Sequence, residues 1–177
     1  MLKKLSALVL FLGSVTPLAA TADDSLVKFK GGIGVDPVSS AVVPAGQQPL
    51  TAEAVNRNFV RGVPPPGQIW RIGDLSADIQ AGGRIKVRGK GLLLAGGNGI
   101  GGNANQSVFA TLICEAAAPF TLRSTNPAGV PLAPNGDFRI DDVLVPAPFD
   151  CASPVLLIRN PAGAWFAAGI PDLGGDD

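Results

Sequence analysis

Four cations at alternate positions, Arg84, Lys86, Arg88 and Lys90, come nearest in type and spacing to chemistry in this chain. Side chains two apart share one face of an extended strand, so Ile85 and Val87 point one way and the four charges the other. Such a stripe could hold an anionic partner, for example an acidic glycan, a lipid headgroup or a surface polymer. The plainer alternative is a solvated face, or a sheet edge kept from pairing by its charge. Asp74 or Asp78 on a neighbouring strand would then neutralise the stripe. The charge balance of the chain favours this plainer alternative.

The second group is acidic. Asp137, Asp141 and Asp142, near Asn135, are the best cation candidates. Calcium needs six to eight oxygens, however, and the spacing of a calcium-binding helix-loop-helix is absent, so calcium is a weak candidate and no metal is expected. Asp137 and Asp141 on one strand face with Arg139 suit a surface ladder of opposite charges at least as well. A hydrolase acting on polysaccharide or peptide bonds through Asp141 or Asp142 is the catalytic alternative. It requires a concave cleft holding one of those carboxyls with a raised pKa.

What is missing constrains function more. The chain has no histidine and no tyrosine, and its single methionine is Met1. Serine or cysteine nucleophiles activated by histidine cannot be built, and imidazole ligands for zinc, copper or iron are absent. Glu53 and Glu115 are the only glutamates, so general acid-base chemistry would fall to aspartate. No catalytic residue is assigned, and the chain reads as a protein more at home in binding than in catalysis.

Residues 97–102, Gly-Asn-Gly-Ile-Gly-Gly, spell a dinucleotide fingerprint after a strand. That fingerprint must open a helix whose N-terminus holds the pyrophosphate, whereas residues 103–106 run straight into another strand pattern. No cofactor is expected. The glycines instead provide a long loop between strands, and a loop on a rigid sandwich is a natural place to bind something. Gly97, Asn98, Gly99, Asn103 and Asn105 are therefore the first ligand candidates, with the cationic stripe second.

Residues 1–22 carry the pattern of a cleaved export signal: Lys3 and Lys4, an apolar run over 5–15, Pro17, and Ala20-Thr21-Ala22 before Asp23. The run is roughly half the 20 residues of a membrane span, so a protein that does not span the membrane is expected, either secreted or periplasmic. Without Lys3 and Lys4 the 14 basic residues fall to 12, against 14 acidic ones. This balance offers no bulk attraction to nucleic acid. Cys114 and Cys151 are the only cysteines; in an oxidising compartment a single pair is expected to form a disulfide.

The elements that must position these residues are strands. The first spans 25–35 with a bend or bulge at Gly31-Gly32. Further strands are expected at 68–72, 75–79, 84–94, 107–115, 120–124, 138–145, 155–159 and 164–170, with 84–94 and 107–115 as the central pair. Turn chemistry separates them at 126–129, 134–137 and 160–163, the last reading as a hairpin. Residues 36–67, rich in proline, form a connection outside the core, with a helical turn over 51–57 capped by Thr51. The result is a single all-β domain over 23–170. It is an antiparallel β-sandwich of immunoglobulin-like or Greek-key type with a proline-rich loop excursion, followed by an acidic flexible tail over 171–177. Trp165 and Phe166 fall on opposite strand faces, so one of these or Trp70 could stack on a sugar, although core packing is favoured.

Three stretches, 83–101, 137–144 and 160–170, resemble a group of small exported bacterial proteins of unknown function. The resemblance implies an exported single domain and brings no activity with it. The expectation is therefore a monomeric, non-catalytic binding or envelope-associated module whose partner is a glycan or envelope polymer. A structural coat or matrix subunit is a further alternative.

Overall fold

The computed structural model describes residues 25–40 and 55–173. The expected export signal, the first four residues of the expected helical turn and residues 174–177 of the tail lie outside the described residues. In chain order the strands are β1 (Ser25–Gly34), β2 (Val38–Ser40), β3 (Val55–Arg57), β4 (Trp70–Arg71), β5 (Asp74–Gln80), β6 (Arg84–Lys90) and β7 (Leu93–Leu94). They continue as β8 (Ser107–Ile113), β9 (Arg123–Ser124), β10 (Val130–Pro131), β11 (Phe138–Val143), β12 (Val155–Arg159) and β13 (Trp165–Asp172). Among the described residues there is no helix, and none long and apolar enough to cross a membrane.

The fold is all-β and antiparallel throughout. One sheet runs β10-β8-β12-β13-β1-β5-β6-β11, with β9 also on β8. Its two ends meet. Ser124 in β9 donates its N–H to Val145 O at 3.0 Å, and Val145, two residues past β11, donates back to Ser124 O at 2.9 Å. The sheet thus curls almost closed around one core, a sandwich or barrel-like arrangement with few free edges.

Two kinds of strand build it. In β5, β6 and β11 burial alternates: Leu75, Ala77, Ile79, Ile85, Val87, Phe138 and Ile140 face the core, and the residues between them face water. This is the period of two of a half-buried antiparallel strand. In β8, β12 and the start of β13 successive residues are all buried, as in Val108 to Ile113, Leu156 to Ile158 and Trp165 to Ala167. Their outer face is covered by the second half of the proline-rich segment. Trp165 Nε1 donates to Asn58 O at 3.1 Å and Trp165 N to Pro64 O at 3.0 Å. Arg61 donates to Ile113 O (3.1 Å), Ser153 O (2.6 Å) and Ser153 Oγ (2.6 Å). Val63 is buried with them. This stretch therefore acts as a strap over the sheet and contributes to the core, whereas the composition reads it as bare connection.

Three further expectations change. Strands 84–94 and 107–115 are not a pair: β6 lies between β5 and β11, and β8 between β12 and the short strands β9 and β10. The tight turn ending at Gly83, whose N–H donates to Gln80 O at 2.8 Å, folds β6 back on β5 and uses that edge. Residues 55–57 are not helical but form β3, paired with β2. Pro171 and Asp172 do not belong to a loose tail; they end β13, opposite Phe29 and Lys28 of β1. The expected bulge in β1 is present, as a register shift between Phe29 and Gly32 with Gly31 at φ 89°.

Cys114 and Cys151 are disulfide-bonded, with Cα atoms 4.4 Å apart across 37 residues of sequence. The bond ties the end of β8 to the approach to β12, and Ser153 N donates to Cys114 O at 3.1 Å beside it. A formed disulfide fits an oxidising environment.

Candidate functional site

The outer face of β1, β5, β6 and β11 carries most of the exposed charge among the described residues, and strand register decides how it is arranged. Residues directly opposite on antiparallel strands share a face. Lys30 stands opposite Ser76, Ser76 opposite Arg88, and Arg88 opposite Arg139. All four are exposed except for partial cover of the row by its neighbours, and together they form a line across the strands containing three cations and no acid. Among the described residues, no carboxylate comes within 4.0 Å of the charged nitrogens of Lys30, Arg88 or Arg139.

The rows on either side differ. Asp172, Lys28, Asp78, Lys86 and Asp141 follow one another across five strands with alternating sign. Ser25 Oγ donates to Asp78 Oδ1, and Asp141 Oδ1 holds Arg84 Nη2 at 3.0 Å on the open surface. On the other side Asp74 stands opposite Lys90. Asp137 accepts from Gly91 N at 3.1 Å and from Asn135 Nδ2 at 3.0 Å. An alternating ladder lowers its own energy, whereas two arginines directly opposite each other raise it.

The four cations of β6 share its exposed face, as their alternation predicts, but register sets acids against three of them. Arg84 is bound by Asp141, Lys86 lies between Asp78 and Asp141, and Lys90 faces Asp74, so of the four only Arg88 belongs to the uncompensated row. Neutralisation by Asp74 and Asp78 was the plainer expectation, and their register positions match it. Lys30 and Arg139 join the row from strands 58 residues before and 51 residues after Arg88. Only the pairing scheme could have identified them.

The surface is dished along this row. A concavity of about 450 Å³ is lined by Ser76, Arg88 and Arg139 together with Asp74, Lys90 and Asp137. A second, of about 380 Å³, is lined by Lys30, Ser76 and Arg88 together with Lys28, Lys86 and Asp78. Under the first, the ring of Phe138 lies over Gly89, where a Cβ would fall 2.0 Å from Phe138 Cε1. Glycine at 89 leaves room for the buried ring on the core side of the strands that carry the two arginines.

The glycine-asparagine loop is shaped chiefly by its own bonds. Leu94 N donates to Gly102 O and Gly101 N to Leu94 O, both at 2.9 Å. Asn103 is a brace: its Nδ2 donates to Leu132 O and Ala133 O at 3.0 Å, and its Oδ1 accepts from Asn105 N at 3.0 Å. Ala104 and Asn105 take φ of 48° and 50°, completing the turn. Gly97, Asn98 and Gly99 are exposed at the tip. Beside the loop lies an open apolar groove of about 560 Å³ between Pro64 to Pro66, Leu94 and Ala162. On its rim Asn160 Nδ2 donates to Gln106 Oε1 at 3.1 Å and Ala164 N to Asn160 Oδ1 at 3.0 Å.

The three aspartates are not brought together. Asp137 braces the turn into β11, Asp141 faces outward to Arg84, and Asp142 accepts from Asn126 N at 2.9 Å and Val143 N at 2.8 Å. Asp141 and Asp142 both border one small concavity of about 160 Å³ beside Asn126 and Val130, but there Asp141 is held by Arg84 and Asp142 by backbone N–H groups. Among the described residues no three His, Cys, Asp or Glu side chains converge on a cation position. Trp70, Trp165 and Phe166 are all buried, the first and last stacked on each other and Trp165 under the strap, so none offers a face to a sugar.

One ion pair escaped notice in the sequence. Glu115 Oε1 lies 2.8 Å from Arg123 Nη2, and Oε2 accepts from Thr121 N at 3.2 Å. The Arg123 hydrogen bond, outweighing partial burial, lowers the Glu115 carboxyl to about 2. No protein-family model, curated protein or solved structure matches this chain.

Proposed function

We propose that this is a non-catalytic binding module of the extracytoplasmic space, secreted or periplasmic. It acts as a monomer and takes an anionic partner, an acidic glycan or other envelope polymer, on the outer face of β1, β5, β6 and β11. The observation that carries the reading is the line Lys30, Ser76, Arg88, Arg139. Three cations share one exposed row without an ion pair among the described residues, two of them in a directly opposed pair that costs the fold stability. Like charges set opposite each other are tolerated when a counter-charge arrives with a ligand. The Cys114–Cys151 bond and the export pattern of residues 1–22 support the compartment.

The test is retention of the disulfide-bonded protein on immobilised acidic polysaccharide at low and moderate salt, beside the variants Arg88→Gln and Arg139→Gln. Retention that falls in both variants supports the reading. Retention unchanged in both, or absent from the wild type, overturns it.

A further inference from the structure

The row has two unequal ends. Neighbouring strands lie about 4.8 Å apart, so Arg88 and Arg139, on adjacent strands, can close on a single oxyanion from both sides. Lys30 stands two strands from Arg88, about 10 Å away at the backbone, with the Ser76 hydroxyl between them. The two concavities follow the same division and share Ser76 and Arg88 as their common wall.

Rows of mixed sign border the line on both sides. Asp74, Lys90 and Asp137 lie on one side, and Asp172, Lys28, Asp78, Lys86 and Asp141 on the other. A broad polyanion would lie on these acids as well as on the cations and gain no net attraction from the bordering rows. A narrow chain running across the strands meets only the row with its anions, and it presents hydroxyl donors to the acids beside it. Asp74, exposed and without an ion pair among the described residues, is an acceptor open to such a donor.

We propose that the row is a two-position site for a short acidic oligosaccharide lying across the strands. One oxyanion sits between Arg88 and Arg139 and a second against Lys30, with Ser76 and the bordering carboxylates meeting the sugar hydroxyls between. This rests on the anion-binding reading and adds to it the direction, the spacing and the polymer class. Two linked contacts make the second an intramolecular event, which raises affinity well beyond that of either alone. A polyglutamate chain likewise carries an anion on every residue but has no hydroxyl groups to meet Ser76 and the bordering carboxylates.

The experiment is titration calorimetry of the disulfide-bonded protein at low ionic strength. The probes are galacturonic acid, its tetramer, hexaglutamate and a short DNA duplex, with the variants Lys30→Gln and Arg139→Gln, both exposed positions. The tetramer should bind at least about tenfold tighter than the monomer and tighter than hexaglutamate or duplex. Lys30→Gln should bring the tetramer down toward the monomer's affinity while weakening the monomer much less, and Arg139→Gln should weaken both. Equal affinity for monomer and tetramer, equal loss of both in Lys30→Gln, or hexaglutamate or duplex binding as tightly as the tetramer overturns the two-position site. If the monomer still binds in those cases, the anion-binding reading stands. If no acidic probe binds, both fall.

Discussion

Trp70 lies flat on Phe166, with ring centroids 4.1 Å apart and planes 10° from parallel. Trp70 belongs to the two-stranded β4–β7 pair and Phe166 to β13 of the main sheet. The stack therefore fastens the small pair to the large sheet, assisted by the reciprocal Val35–Trp70 backbone bonds at 3.0 and 3.1 Å. Trp70→Ala should cost about 3–5 kcal/mol in urea unfolding, as large-to-small changes of buried aromatics do. Trp70→Phe, which keeps a ring on Phe166, should cost clearly less. Equal losses would mean that the indole's bulk elsewhere, and not the stack, holds the pair.

Gly89 and Phe138 make a test of packing beneath the site. A methyl at Gly89 would fall 2.0 to 2.2 Å from two ring atoms of Phe138, so Gly89→Ala requires the buried ring to leave its place. The expected loss is about 1–3 kcal/mol. Combined with Phe138→Leu, the two changes should cost less than their sum, because they share one contact. Thermal unfolding of the two single variants and the double variant measures this coupling.

Arg139→Gln removes one of two like charges held opposite each other. It should raise thermal stability at low salt by up to about 1 kcal/mol, and the gain should fade as added salt screens the pair. A variant that binds anions less well yet folds more stably separates a surface kept for a ligand from one kept for the fold.

Acid should act through Glu115. In the fold its carboxyl is held at about 2, against an ordinary 4.5, first by the Arg123 hydrogen bond. A carboxyl depressed on folding contributes stability that is full above its unfolded value. That contribution is lost as pH falls from about 4.5 toward 2. Glu115→Gln should therefore flatten the fall in melting temperature across that window and lower stability at neutral pH. The side chain is 27% exposed, so the effect is small, and melts at several pH values beside wild type are needed to see it.

Breaking the Cys114–Cys151 bond should cost about 4 kcal/mol on the chain-entropy account for a loop of this span. A second consequence is local. Arg61 donates to Ile113 O and to Ser153 O and Oγ, each close to one of the bonded cysteines. Reduction should therefore loosen the strap, and amide exchange should quicken at Asn58 and Val63 more than in β5 or β6. Exchange that quickens only between residues 114 and 151 would show the strap to be held independently.

Outside residues 55–57, the kinds of element and many of their bounds were legible in the residues alone. Leu75, Ala77 and Ile79, like Ile85 and Val87, alternate because each strand has one wet face, and that period is written in a local stretch of chain. The hairpin over 160–163 and the single disulfide were legible for the same reason: turn chemistry and a cysteine count need no knowledge of distant residues. What the tertiary structure decided was partnership. Backbone hydrogen bonds between strands are alike whatever the side chains, so nothing in residues 84–90 says that their neighbours are 74–80 and 138–143 and not 107–113. The same long-range register brought Lys30 and Arg139 to Arg88 and set acids against Arg84, Lys86 and Lys90. It also laid residues 58–64 over a sheet face that their prolines alone gave no reason to place in a core.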